Sequence, residues 1–371
     1  MTKNKKIEIV NPTENKISQP VLVGQKPFFV SGWLPYWAKE TGVNSLEGNL
    51  KIFDEINPFD FGVTPDGNIV DTVGIDNAPW RKLRAEAEKE NIKIIPTILW
   101  GDAAAMHRTF ANPELLDHHV GAIVDMLADK NFPGVDIDYE GKDIVDRDNF
   151  SAFVKTLHSK LQAAGKSLSC TIEARTEDSP PAGLVGTRAM SWANDHVALN
   201  ENCDSVRVMA YDQVFQINSS NTFENLSEIP SAPNADNKWV QQVVQYALQK
   251  ISPDKLVLGI PTYGWEFRLT KLDKGYQYVR LKSISHPDAL KEASDANVTP
   301  VRSDGGEMTF TYVAKDGKHI VTFEDAEAVR QKIEIAQKLN IKGISLFKID
   351  GLSDPQLFPM LTKLIMVKNE Q

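Results

Sequence analysis

The stretch PELLDHHVGAIVDMLADKN (113–131), GVDIDYE (134–140), NFSAFVKTLHSKLQAAG (149–165) decides the fold. Its ends carry apolar residues at helical spacing and its middle alternates. In the first segment Leu115, Leu116, Val120, Ile123, Val124 and Leu127 make one apolar face at a 3.6-residue period. Gly165 closes the last segment where a helix C-terminal cap belongs. In an extended chain Asp136, Asp138 and Glu140 share one face, and Val135, Ile137 and Tyr139 share the other. A half-exposed strand with its charges in water would suit an antiparallel protein. A strand between two helices instead belongs to a parallel sheet, whose two faces are both covered.

Working outward, the same kind of run recurs. FFVSGWL (28–34), FDFGVT (59–64), KIIPTILW (93–100), SLSCTIEA (167–174), SVRVMAY (205–211), KLVLGIPTY (255–263) and KGISLFKI (342–349) bring the count to eight. Helical patterns at 80–91 and 238–252 fall between them. Eight strands alternating with helices predict a closed (β/α)8 TIM barrel in preference to an open doubly wound sheet. The rhythm breaks after the seventh run. There MTFTYV (308–313) and KHIVTF (318–323) flank Lys315-Asp316-Gly317, a hairpin signal, and 288–297 reads as a short helix. The chain is therefore divided into a polar tail (1–26), a barrel (27–265 and 324–371) and a small α+β insertion between strands seven and eight (266–323) that would wall a cleft.

Composition removes several classes. A formal charge of -9 argues against a nucleic-acid partner, whose phosphates demand Lys and Arg. No apolar run reaches signal-peptide or membrane-span length, so no membrane insertion is expected. Cys170 and Cys203 make no framework and read as buried reduced thiols. The seven histidines are scattered, and His118-His119 does not make a metal face. No metal or cofactor is expected. Asp136-Ile137-Asp138 as a metal-binding pair would leave Glu140 unexplained. Ala164-Gly165-Lys166-Ser167 leads into a strand and lacks the first glycine of a phosphate loop.

Three carboxylates on a covered face are costly unless at least one holds a proton near neutral pH. Such groups are expected where chemistry needs an acid, and Glu140 stands at the C-terminal end of its strand, where barrel active sites lie. The strand resembles the DxxDxDxE signature of family 18 glycoside hydrolases, the chitinase-like enzymes, at Asp136, Asp138 and Glu140, and departs from it at Pro133. MAYD (209–212), GIPTYG (259–264), SGWLPYW (31–37) and KGISLFKIDG (342–351) resemble the family's strands six, seven, one and eight. Phe347 stands where the family usually has the tryptophan that floors the sugar pocket. The insertion looks most like that of the bacterial spore-cortex and cell-wall N-acetylglucosaminidases.

The resemblance implies a chemistry. Glu140 would protonate the leaving oxygen, Asp138 would orient the substrate's acetamido nitrogen, and Asp136 would share a proton with Asp138. Tyr211 and Asp212 would hold the acetamido group of an N-acetylated oligo- or polysaccharide, either chitin or peptidoglycan glycan. Alternation places Arg207 and Met209 inward with Tyr211, and Thr171, Glu173 and Arg175 on one face. An ion pair of Glu173 with Arg175 or Arg207 is expected inside the barrel, with sugar contact by Glu173 or Arg175 as the other reading. Trp33, Trp37, Trp100, Tyr263 and Trp265 fall at strand ends, where aromatic faces suit sugars, although tryptophan also serves as packing. The rival function is a weak or inactive carbohydrate-binding relative, suggested by Pro133 and Phe347. A monomer is expected. The family resemblance suggests an extracytoplasmic or envelope location, with the cytoplasm left open.

Overall fold

The structure, a computed structural model, describes residues 28–213, 232–271, 273 and 276–369. The tail expected at 1–26 lies outside them. Eight parallel strands form the barrel among the described residues: Phe29–Pro35, Glu55–Val63, Lys93–Ile94 continued by Thr97–Trp100, Gly134–Tyr139, Ser167–Glu173, Ser205–Met209, Leu256–Pro261 and Gly343–Phe347. They are numbered one to eight here. Closure is direct, because Trp33 of strand one lies opposite Asn57 of strand two and Phe347 of strand eight. Pro96 interrupts strand three, having no N–H to donate, while its carbonyl still accepts from the Asp136 amide at 2.9 Å. The TIM barrel expected from the eight runs is the fold.

Helix Pro113–Asp129 shows how local sequence sets each return. Asn112 caps it by accepting from the amides of Glu114 and Leu115, with Pro113 in the first turn. Val120, Ile123 and Leu127 are buried as the periodicity requires, but Leu115 is 39 % exposed. His119 takes an inward position instead. Burial pushes its imidazole down to about 4, so the ring is neutral. It can then donate from Nδ1 to the Gly67 carbonyl at 2.6 Å and accept at Nε2 from the Tyr139 hydroxyl at 2.7 Å.

Tyr139 belongs to the outward face of strand four, in a layer of rings between barrel and helices that includes Phe110, Phe150 and Phe153. Trp100 sits in the same layer, 5.3 Å from Tyr139 and 5.0 Å from His119, and is 2 % exposed. Its place at the end of strand three suggested sugar contact. Its outward side of the pleat makes it a packing residue.

The reading of two reduced thiols is also corrected. Cys170 points outward from strand five, and Cys203 ends helix His196–Asn202, which packs on that side. The two form a disulfide with Cα atoms 6.2 Å apart. Separated by 33 residues, they meet only through the return of the chain.

After strand seven the chain builds a second, antiparallel sheet in the order Tyr276–Ile284, Gly264–Lys271, Gly317–Phe323, Met308–Ala314, Val301–Arg302, with helix His286–Asp295 packed on it. The expected hairpin forms, with Ala314 opposite Gly317 around Lys315 and Asp316. Ile284, Ala289, Ala293, Phe310, Val321 and Phe323 make the insertion's own small core.

Candidate active site

The barrel interior is organised around a fully buried cation. Arg207, on the inward face of strand six, donates from Nε to Ser169 Oγ (2.8 Å), from Nη1 to Asn57 Oδ1 (2.6 Å) and from Nη2 to Glu55. Its guanidinium lies 5.5 Å from the Trp33 ring, and its Nε is 3.7 Å from Asp136 Oδ1. Asp136 accepts further from Trp33 Nε1 (3.0 Å), Thr97 Oγ1 (3.0 Å) and Thr171 Oγ1 (2.9 Å). These four partners fix Asp136 in place at the base of the carboxylate row.

Asp138, two residues further up strand four, is 3 % exposed, and its Oδ1 has no partner among the described residues. Burial, then the charges of Glu140, Asp136 and Glu173, hold its carboxyl well above the usual range. Glu140 stands at the mouth, with its amide bonded to the Trp100 carbonyl at 2.9 Å. Burial and the nearby Glu173 and Asp212 charges push it up to about 7. The row thus supplies proton-holding acids at neutral pH, as its packing inside the barrel demands.

The ion pair expected for Glu173 is different. Glu173 does point inward, but its partner is Lys142, at 3.6 Å. Gly141, at φ +72°, turns the chain back so that Lys142 is completely buried, donating to the Tyr139 carbonyl and lying 4.7 Å from the centre of the Phe150 ring. Glu173 also accepts from Asn194 Nδ2 (2.7 Å) and the Gly141 amide (3.3 Å). Neither arginine pairs with it: Arg207 is committed to Glu55 and Asn57, and Arg175 is turned to the Asn194 carbonyl (3.0 Å) and the Tyr246 ring (5.5 Å). Arg175 follows the end of strand five, so the strand's alternation no longer governs its direction. Lys142 and Asn194 were missed by sequence reasoning. The glycine after Glu140 was the one local signal of the turn that buries Lys142.

Across the mouth, Tyr211 is 6 % exposed, and burial raises its hydroxyl well above the ordinary range. Its ring stacks on Phe347 at 5.5 Å, and Gly259 leaves room for it: a Cβ there would stand 3.2 Å from Tyr211 Cε1 and 2.8 Å from the Val208 carbonyl. Asp212 adopts φ +57°, and its Oδ1 accepts from Tyr263 Oη and Trp265 Nε1, each at 2.7 Å. Burial raises its carboxyl, and those two donors oppose the shift. Phe347 lies 6.0 Å from Trp33 and 5.9 Å from Tyr263 and is held from behind, where Thr262 Oγ1 donates to the Lys348 carbonyl at 2.7 Å. Trp33, Asp136, Asp138, Glu140, Glu173, Tyr211, Asp212, Tyr263, Trp265 and Phe347 therefore line the interior and mouth of the barrel, whereas Trp100 and Arg175 do not. Trp37 stands further out on the rim, 53 % exposed.

The profile of the Glycosyl hydrolases family 18 matches residues 55–351, spanning every one of these positions except Trp33 and Trp37. The chain belongs to that family. As a family 18 glycosidase it is 24% identical to the uncharacterized glycosylase YvbX of Bacillus subtilis over 76% of this chain and 77% of the relative. It is 26% identical to the cortical fragment-lytic enzyme of the same organism over 76% of this chain and 63% of that protein. Among solved structures, the spore cortex-lytic enzyme SleL of Bacillus megaterium superposes with a TM-score of 0.72 at 19% identity, covering 91% of this chain and 74% of that one. A chitinase of Chromobacterium violaceum gives the same TM-score at 20% identity, covering 91% and 98%. These likenesses fit the barrel with its inserted antiparallel sheet.

Proposed function

We propose that this family 18 glycosidase cleaves β-linked glycans containing N-acetylglucosamine, with net retention and assistance from the substrate's own acetamido group. The observation that carries this reading is Glu140, a carboxyl pushed up to about 7 at the barrel mouth beside the buried acid Asp138. Family 18 is an exception to the two-carboxylate scheme of retaining glycosidases, because the substrate supplies the nucleophile. Glu140 gives its proton to the leaving glycosidic oxygen as the acetamido oxygen bonds to the anomeric carbon. Asp138 accepts the acetamido N–H as positive charge develops there, and Tyr211 donates to the acetamido oxygen. Water then opens the cyclic intermediate and returns its proton to Glu140. Asp136, below Asp138, helps to hold that carboxyl up.

The likeness to cortical fragment-lytic enzymes favours peptidoglycan-type glycan over chitin as the polymer. Wild type and Glu140→Gln are to be incubated with chitin oligosaccharides and with soluble peptidoglycan glycan strands, and products read by mass spectrometry. Cleavage by wild type alone is the expected result, and the cleaved panel names the polymer. The second reading, a carbohydrate-binding protein that turns over poorly, is favoured by Pro133 in place of the signature's first carboxylate and by Phe347, which offers less stacking area than a tryptophan. Binding of both panels with cleavage of neither by wild type would establish it.

A further inference from the structure

Asp212 is held at φ +57°, a left-handed backbone conformation that a non-glycine residue keeps only where its surroundings impose it. What imposes it is Asn234, which lies 22 residues further along the chain. Its Oδ1 accepts from the Asp212 amide at 2.9 Å and its Nδ2 donates to the Tyr263 carbonyl at 3.0 Å. Its own carbonyl accepts from the Gln213 amide at 2.9 Å. One buried side chain thus ties the backbone of Asp212 to that of Tyr263, the residue whose hydroxyl bonds the Asp212 carboxylate.

Asn234 is fixed in turn from the insertion. Glu307, 1 % exposed, accepts at Oε1 from the amides of Asn234 (2.8 Å) and Ala235 (2.9 Å). Gly305 in the same turn accepts from the Asn237 amide at 2.9 Å. Ala235 and Asp236 lead into helix Asn237–Ala247, so the hub is anchored to the barrel as well. The antiparallel domain therefore contributes a buried carboxylate that sets the geometry of a residue at the end of strand six.

We propose that Asn234, locked by Glu307 of the insertion, is the positioning residue that holds Asp212 and Tyr263 in register to recognise the substrate's acetamido group. The inference rests on the reading of Asp212 as part of that recognition. It makes the insertion a determinant of specificity in addition to a cleft wall.

The test uses the full chain carrying Glu140→Gln, so that oligosaccharides bind without being cut. Affinities for N-acetylated and for fully deacetylated β-linked glucosamine oligomers are measured by calorimetry, with thermal unfolding as the control for folding. Asp212→Ala and Asn234→Ala should each reduce the preference for the acetylated oligomer by about five- to tenfold. The double variant should lose no more than Asp212→Ala alone, because the two act through one contact. Glu307→Ala, which removes the acceptor for both amides, should reduce the preference as Asn234→Ala does, and a folded variant that keeps the preference overturns the part assigned to the insertion. If Asn234→Ala does not fold, the near-isosteric Asn234→Leu carries the same comparison. The proposal is overturned if Asp212→Ala loses the preference while the Asn234 variant keeps it, or if the two losses add. A parent with no preference for acetylated sugar overturns the acetamido reading itself, and this inference with it.

Discussion

The rings of Tyr211 and Phe347 lie 5.5 Å apart and within 10° of parallel, so the residue at the end of strand eight is stacked on the tyrosine that faces the carboxylate row. The phenyl ring is also packed edge-on by Trp33, Phe59 and Tyr263. This arrangement has a floor in which the smaller ring is fully supported, and a larger ring would extend the same platform. Phe347→Trp should therefore tighten binding of N-acetylated oligosaccharides by about two- to tenfold, the worth of one good aromatic contact. Calorimetry on the Glu140→Gln background measures it, and weaker binding would show that the pocket is shaped to exclude the indole.

Glu140 is the group whose loss should silence turnover. Glu140→Gln keeps shape and removes the proton, so kcat should fall by roughly 10²–10⁴-fold with the fold intact. Because burial holds the acid form up to about 7, activity of the wild type should decline as pH rises through that value.

The same shift has a stability consequence with a definite sign. Between the ordinary value of 4.5 and about 7 the native state holds a proton on Glu140 that the unfolded chain has released. The stability contributed by Glu140 therefore falls as pH rises across that window. The raised carboxyl of Asp138 works in the same direction. Glu140→Gln should match wild type in unfolding temperature near pH 4 and exceed it near pH 8, and an advantage confined to pH 4 would contradict the burial argument.

Arg207 is buried with Glu55 and Asp136 as its counter-ions. Arg207→Met removes the cation and leaves both carboxylates inside the barrel. Breaking a buried pair in this way costs about 3–5 kcal/mol, which denaturant unfolding should register. A loss under about 1 kcal/mol would mean that the carboxylates simply take up protons.

The Cys170–Cys203 bridge closes a loop of 33 residues. The chain-entropy relation assigns such a loop about 3–4 kcal/mol of stability. The unfolded protein should show no free thiol before reduction and two after it, and Cys170→Ala with Cys203→Ala should lower the unfolding midpoint accordingly. Two thiols titrating without reduction would remove the bridge from the account.

Much of the fold was written in short-range pattern. The alternation of Gly134–Tyr139 separated Asp136 and Asp138 from Val135, Ile137 and Tyr139, and those two sets occupy opposite sides of the barrel wall. The eight apolar runs and the helical periods between them specified the barrel, and the ends of strands four and six marked the positions of Glu140 and Asp212. Periods of 2 and 3.6 arise from a residue's own neighbours, so a sequence displays them directly.

The partners of the buried charges were decided elsewhere. Lys142 reaches Glu173, Arg207 reaches Glu55, Cys170 meets Cys203, and Glu307 grips Asn234, across separations from 31 to 152 residues in the chain. Each choice depends on the register of strands and on turns that bring distant segments together. Trp100 illustrates the same division: its residue type suited a sugar or a core equally, and only the side of the pleat on which strand three placed it made it packing. Local periodicity determined which faces would be covered, whereas the closed geometry of the barrel and its insertion determined which buried group would satisfy which other.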